Sequence, residues 1–404
     1  MGMIGYLRGN EAAALGAKLS KIQLMGAYPI PPSGEVMEAI LTYISKGELK
    51  AGFVETEGEK SSHLVTYAGA AHGVRSFNAT SGQGLAYMNE GLHMQVGQKI
   101  PSVIAVANRS IFSPHGMQPD HSDTASERDT GWIQFHCETI QEVIDTIIQA
   151  YKVTEHKDVM IPALVCYEGL FLSHSLERVD IPDQKEVDDF LPPYNPGELS
   201  KIEPNGLPMF TSFGMFENWF QEFKYIEWRA INAAKKVIAE VDEEFGIKFG
   251  RKYGGLIDPY LTQDAEVILI TTGANTATAR FAANVMRKAG KKVGVIKIRI
   301  FRPYPKEALC EALEKTKAKV VVVVDRVKHG AYTDEVRAAL YHLKNKPLVK
   351  GFICGLNGRD LAPFNMIDMA MRGFEIAKKG FDGQEEVEYY FLRRRGDNGN
   401  VKKV

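Results

Sequence analysis

Apolar residues follow two alternating patterns along this chain. Short runs that are apolar throughout, or at every second position, read as strands. Stretches with apolar residues three and four apart read as helices. Asn10 reads as the N-cap of a helix to about Lys21, and Ile22 to Ala27 as the first strand. The turn Tyr28-Pro29-Ile30-Pro31-Pro32-Ser33-Gly34 follows. Its three prolines remove three backbone donors, so it cannot continue a sheet, and Ser33 is placed to cap a helix to Lys46. Gly52 to Glu55 is a short strand. Thr56 to Lys60 then opens a helix whose Ala68-Gly69-Ala70-Ala71 stretch permits close backbone approach. A strand from Arg75 to Ala79 ends in Thr80-Ser81-Gly82-Gln83-Gly84, ahead of a helix from Leu85 to Gln95. Ser102 to Ala107 is almost unbroken Val, Ile and Ala, as expected of a strand buried on both faces. Thr139 to Lys152 (helix) and Val159 to Tyr167 (strand) continue the alternation, which predicts an α/β domain with a mostly parallel sheet.

The pattern changes after residue 181. Six of the 18 prolines lie between Pro182 and Pro208, suggesting an extended arm. An amphipathic helix from about Phe216 to Phe245 follows, with Gly250 to Pro259 as a boundary. Strands Val267–Thr272, Val293–Ile298, Val320–Asp325 and Val349–Cys354 then alternate with helices, a doubly wound α/β pattern. The predicted divisions are 1–181, an arm and long helix over 182–258, a second α/β domain over 259–380, and a tail over 381–404. The aromatic tail, Tyr389-Tyr390-Phe391-Leu392, packs either on a partner subunit or on its own domain.

Composition narrows the classes. Among 404 residues, 45% are hydrophobic and 25% charged, with net charge −1, which argues against binding nucleic acid or an anionic membrane. No apolar run reaches the roughly 20 residues of a membrane span. The first ten residues carry no signal-peptide pattern, and Tyr6 stands where N-myristoylation requires Ser or Thr. A cytoplasmic location is expected. The cysteines (137, 166, 310 and 354) have no metal-like spacing, so this chain is not expected to ligate an iron–sulfur cluster.

Three constellations could carry chemistry. Glu57-Gly58-Glu59 lies at a strand-to-helix junction. It is either a capping cluster with a solvated acid or a carboxylate that sets the proton state of a cofactor ring. Arg109 directly follows a buried strand and leads into a polar loop from Asn108 to Gly131, longer than compact domains usually keep without function. Its guanidinium suits either a substrate carboxylate or an ion pair with Asp123 or Glu127. His115, His121 and the nearby acids match no standard metal spacing; Asp120-His121-Ser122-Asp123 reads as a hydrogen-bond network. Ser81-Gly82-Gln83-Gly84 could approach a ligand closely, and Gly355 to Arg359 reads as closing a domain edge. Neither is a dinucleotide or P-loop fingerprint. The chain has no Gly-Asp-Gly element followed by Asn of the kind that binds diphosphate and Mg²⁺ in thiamine enzymes.

From about Asn10 to Lys379 these pieces, in this order, resemble the α subunit of the 2-oxoacid:ferredoxin oxidoreductases. Tyr28-Pro29-Ile30-x-Pro32 is similar to the family's Tyr-Pro-Ile-Thr-Pro motif, and Glu57-x-Glu59 to its Glu-x-Glu pair. Thr80-Ser81-x-x-Gly84-Leu85-x-x-Met88 resembles its glycine turn. Asn108-Arg109, Asp120 to Asp123 and Arg128-Asp129-x-Gly131-Trp132-Ile133-Gln134 resemble its substrate loop. Phe301-Arg302-Pro303-x-Pro305, Asp325-Arg326 and Gly355-Leu356-x-Gly358-Arg359-Asp360 extend the match. The resemblance implies a pyrimidine-type thiamine-diphosphate domain followed by a smaller transketolase-C-terminal-like α/β domain.

It also implies roles. Glu59 would hydrogen-bond the aminopyrimidine ring and promote formation of the reactive thiazolium carbanion. Pro29, Ser81, Gly82 and Gly84 would line the cofactor. Arg109, Pro31, Ile30 and Phe112 would meet the 2-oxoacid. A β subunit would supply the diphosphate and Mg²⁺ half of the thiamine diphosphate site. The same β subunit would carry a cluster, [4Fe-4S] clusters sitting only in partner chains. The γ and ferredoxin-like δ subunits, and a possible flavin subunit, would complete the set of partners. CoA would take the acyl group. The departure is Pro31, where the family usually has Thr and oxalate-oxidising relatives Arg. A lost polar partner at a desolvated site costs about 1–3 kcal/mol, so pyruvate is expected to be poor. Phe112 adds to an expectation of phenylglyoxylate or another aryl 2-oxoacid first, a branched-chain acid next, and pyruvate or oxalate as the alternative. A non-catalytic scaffold and a cluster-free transketolase-like enzyme are the competing classes.

Overall fold

The computed structural model describes residues 2–195, 217–395 and 401–403. The C-terminal part of the predicted proline-rich arm (196–208) and Phe216 lie outside the described residues. The first domain is built on a seven-stranded sheet in the spatial order Ile300–Arg302, Ile133–His136, Ala163–Glu168, Val103–Asn108, Ser76–Thr80, Leu24–Ala27, Gly52–Glu55. The last six are parallel to one another. Val103–Asn108 sits at the centre and is buried at every residue, as its unbroken apolar run requires. From Leu24–Ala27 the chain moves outward to Gly52–Glu55. From Ser76–Thr80 it moves the other way to Val103–Asn108. The winding therefore reverses between Leu24–Ala27 and Ser76–Thr80, and such reversals open a crevice at the carboxyl ends of the strands.

The second domain's sheet runs Val387–Tyr389, Leu348–Ile353, Val320–Asp325, Val267–Thr271, Val293–Ile298, Ile257–Tyr260, with only the last strand antiparallel. The two domains are not separate beads. Ile300–Arg302, which follows a second-domain strand, pairs antiparallel with Ile133–His136 at the edge of the first sheet. The long helix spans Glu217–Phe249. From Ala230 onward it buries Ala230, Ala234, Val237, Ile238, Val241 and Phe245 in the first core, whereas Trp219, Phe220 and Trp228 before them stay exposed. No helix among the described residues is long and apolar enough to cross a membrane.

Several local expectations are corrected. The first helix is Gly9–Leu19, and Asn10 is not its cap. The Asn10 side chain is buried, donating to Pro32 O and Glu35 and accepting from Tyr167. Ser33 stands at the N-cap of Gly34–Ser45, but its hydroxyl turns back to Ile30 O. The predicted helix from Leu85 to Gln95 is two, Gly82–Tyr87 and Asn89–Gly97. An antiparallel pair, Met3–Arg8 with Leu176–Ile181, is not among the predicted strands: Val179, Leu7 and Ile181 face the core, but exposed Met3, Ile4, Tyr6 and Leu176 blur the apolar alternation. In the tail, Tyr390 packs on Phe352 of its own domain while Tyr389 and Leu392 remain exposed.

Candidate active site

Four strand ends, Ala27, Glu55, Thr80 and Asn108, place their following segments at one edge of the first sheet. The proline turn cannot offer backbone donors at its prolines, so it is held by its carbonyls. Ile30 O accepts from Ser33 Oγ at 2.9 Å and Pro32 O from Asn10 Nδ2 at 2.7 Å. Pro31 O takes two bonds, from Ser81 Oγ and from Arg109 Nη1, both at 2.9 Å. The proline turn, the glycine turn and the residue after the central strand thus meet at one oxygen. The Pro29 and Pro31 rings are exposed and Ile30 is half-buried beside them.

Arg109 is only 5% exposed. Its Nε donates to Gly116 O at 3.0 Å, so two carbonyls aim the guanidinium and leave it further N–H groups to offer a ligand. Burial lowers its pKa, opposed by the charge of Asp123. The ion-pair alternative is not what the fold builds. Asp123 accepts from the backbone N–H of Arg109 at 2.9 Å, not from its guanidinium. Asp123 also accepts from Gly82 N, Asn108 Nδ2 and Thr124 N, tying the glycine turn to the central strand. Burial pushes its carboxyl up to about 7, against those donors. Sequence reasoning reached Asp123 as a possible partner charge and as part of a loop hydrogen-bond network, but nothing local marks it as the carboxylate that ties three segments together.

The two acids of Glu57-Gly58-Glu59 separate. Glu57 is exposed and accepts from Ser61 Oγ. Glu59 is the first residue of the helix Glu59–Ala71 and is half-buried. Among the described residues its carboxylate accepts no hydrogen bond. It lies over the glycine turn: a Cβ on Gly84 would stand 2.9 Å from Glu59 Oε1 and 2.5 Å from Thr80 Oγ1. Thr80 Oγ1 is buried with no partner, as is Gln83 Oε1. Gly82 adopts φ +47, where a Cβ would press on the Arg109 stem at 3.2 Å. Phe112 is 47% exposed, stacked on His115, with the Arg109 guanidinium 5.9 Å from its ring centre.

The remaining loop residues turn inward. Ser122 N donates to Asp120, as the network reading expects, and His121 is fully buried between Glu168 and Tyr332, away from surface-exposed His115. The turn Gly355 to Arg359, expected to close a domain edge, instead reaches the polar loop after Asn108: Gly358 N donates to Pro119 O and Asn357 N to Asp120 Oδ2.

Comparison with known proteins agrees with this architecture. The family described as "Pyruvate flavodoxin/ferredoxin oxidoreductase, thiamine diP-bdg" matches residues 15–243, and "Pyruvate:ferredoxin oxidoreductase core domain II" matches residues 265–366. Pyruvate synthase subunit PorA of Pyrococcus furiosus is 41% identical over 391 residues, covering 96% of this chain and 97% of the relative. PorA of Methanothermobacter thermautotrophicus is 36% identical, with 92% and 95% covered. Ketoisovalerate oxidoreductase subunit VorA of Pyrococcus horikoshii is 37% identical, with 96% and 97% covered. Among solved structures, a 2-oxoglutarate:ferredoxin oxidoreductase from Magnetococcus marinus superposes with a TM-score of 0.72 at 20% identity. That match covers 92% of this chain and 65% of the other. A split-gene transketolase superposes at 0.52 and 14% identity, covering 92% of this chain and all of the other. These last two speak to the fold alone, an α/β thiamine-type domain followed by a transketolase-C-terminal-like one. With both family regions matched in order and relatives aligned over nearly their whole length, the chain belongs to the 2-oxoacid:ferredoxin oxidoreductases, as an α subunit of these multi-subunit enzymes.

Proposed function

We propose that this chain supplies the pyrimidine-side half of a thiamine diphosphate site, and the oxoacid-binding arginine, of a complex oxidising pyruvate. The observation that carries the reading is the convergence at the switch-point crevice: Pro31 O joins Arg109 to Ser81, and Glu59 lies over Gly84 beside them. The residues fit an aminopyrimidine ring. Glu59 is an acceptor with no partner among the described residues, Gly84 has no side chain to displace it, and Thr80 Oγ1 is a buried hydroxyl with no partner among them either. Glu59, Pro29, Ser81, Gly82 and Gly84 would hold that ring. The bound cofactor supplies a nucleophilic carbon that bonds the oxo carbon so that CO₂ can leave.

This chain's residues do the rest of its share. Glu59 holds or releases a proton at the ring. Arg109 binds the oxoacid carboxylate, and Ile30, Pro31 and Phe112 bound its acyl end. Each turnover converts a 2-oxoacid and CoA to acyl-CoA, CO₂, one proton and two electrons. [4Fe-4S] clusters in partner subunits would accept the electrons singly, and a β subunit would hold one such cluster together with the diphosphate and Mg²⁺ half of the site. The domain divisions 1–181, 182–258, 259–380 and 381–404 are retained, with the edge strand Ile300–Arg302 crossing between them.

Pyruvate replaces phenylglyoxylate as the first substrate. The relatives at 36–41% identity bear the names pyruvate synthase and ketoisovalerate oxidoreductase. A branched-chain 2-oxoacid is the second reading, favoured by the absence of any donor on Pro31. A viologen-linked assay of the purified complex against pyruvate, branched-chain and aryl 2-oxoacids tests this. Preference for an aryl acid would refute the substrate assignment. Glu59→Gln is expected to abolish turnover while the subunits still co-purify; near-normal decarboxylation would sink the role of Glu59.

A further inference from the structure

The turn Gly355 to Arg359 belongs to the second domain, yet its Asn357 touches the loop that aims Arg109 at two points. Asn357 Oδ1 accepts from Ser110 Oγ at 3.0 Å. Gly116 lies against the same oxygen: a Cβ on Gly116 would stand 2.1 Å from Asn357 Oδ1. Ser110 is the residue after Arg109, and Gly116 O is the acceptor for Arg109 Nε. The loop between them closes through Ser110 N to Gln118 O at 3.1 Å, and Ser110 O accepts from Gln83 Nε2. Neighbouring backbone groups hold the turn in place: Asn357 N donates to Asp120 Oδ2 and Gly358 N to Pro119 O. Asn357 itself adopts φ +46, a left-handed conformation that Asn tolerates better than most residues. The residue is otherwise exposed, so its amide is not filling a core.

We propose that Asn357 is a positioning residue for the oxoacid site: it sets the 110–118 loop, and through Gly116 O the guanidinium of Arg109. The second domain thereby bears on substrate binding that the first domain performs. This rests on the assignment of Arg109 to the oxoacid carboxylate.

The test uses the complete complex. Asn357→Gly keeps the left-handed backbone and removes only the side chain, with no cavity left behind. It is expected to raise hydrogen exchange over residues 110–118. It is also expected to raise the KM for the oxoacid roughly fivefold, the equivalent of one lost hydrogen bond, with the KM for CoA and Tm unchanged. Gly116→Ala forces the same contact apart and should impair the oxoacid KM alone. Combined with Asn357→Gly, the clash is gone, and the double variant should be no worse than Asn357→Gly. Wild-type exchange and oxoacid KM in Asn357→Gly, an equal shift in the KM for CoA, or additive defects in the double variant would overturn the proposal. If the wild-type complex turns over no 2-oxoacid, the functional reading fails, while exchange over 110–118 still decides whether Asn357 holds the loop.

Discussion

At the scale of single residues, position matters more than identity. Glu57 and Glu59 are chemically alike and two residues apart, but only Glu59 begins the helix and faces the glycine turn. Nothing in the local sequence separates the two; packing against Gly84 does. We therefore expect Gly84→Ala to push Glu59 out of register. Gly84 has helical backbone, so Ala is conformationally acceptable, but its methyl also meets the buried Thr80 Oγ1 at 2.5 Å, so a small fall in Tm is expected beside a much larger loss of turnover. A displacement of that size can cost about a hundredfold in turnover. Loss of Tm in parallel with activity would show a folding defect instead. Arg109 is held by two carbonyls before any substrate arrives. Arg109→Ala should raise the KM for the oxoacid by one to two orders of magnitude, as expected for a charged hydrogen bond worth roughly 1.5–3 kcal/mol. The KM for CoA should change far less; an equal change would mark Arg109 as structural.

At the scale of elements, the helix Glu59–Ala71 shows what burial does to a polar side chain. His63 is fully buried one turn after Glu59, against Trp132 and Gly91. Neither ring nitrogen makes a full hydrogen bond. Burial holds its pKa down to about 4, only partly offset by the backbone at Gly91. The folded protein thus binds fewer protons here than the unfolded chain, whose His titrates near 6.5. Stability from this site is complete above pH 6.5 and is lost as pH falls toward 4, roughly 3 kcal/mol in all. His63→Phe keeps a ring against Trp132 and removes the titration. Its Tm should fall less steeply than wild type between pH 6.5 and 4; parallel curves would contradict the assignment. The strands and helices themselves were legible from period and turn chemistry. Boundaries failed where a side chain served a distant element, as Asn10 does at Pro32.

At the scale of the whole molecule, the domains are joined by buried charge. Glu168, at the end of a first-domain strand, accepts from Ala274 N and Arg326 of the second domain and contacts His121. Burial raises its pKa most, yet His121, Arg326 and the Ala274 N–H together leave the carboxyl below its usual range. Glu168→Ala leaves the buried Arg326 charge with only the carbonyls of Pro119 and Gly355, and takes the acceptor from Ala274 N at a helix N-terminus. It should destabilise by roughly 3–5 kcal/mol and split one thermal transition into two. An unchanged single transition would show that the edge strand Ile300–Arg302 and the buried pairs of Lys297 and Arg299 with Glu142 suffice to couple the domains.

The sequence alone determined the alternation of strands and helices, the fold class, the family, and the set of side chains from which a site could be built. Those follow from local period, turn residues and motif order, all short-range. Only the tertiary structure decided which members of that set meet. It placed Ser81 and Arg109 on one carbonyl of Pro31, turned Glu59 inward and Glu57 outward, assigned Asp123 to the backbone of Arg109, and carried Asn357 across to Ser110. Contacts between residues 14 to 247 positions apart depend on loop closure, strand order and the crossing of two domains, and no local pattern records them.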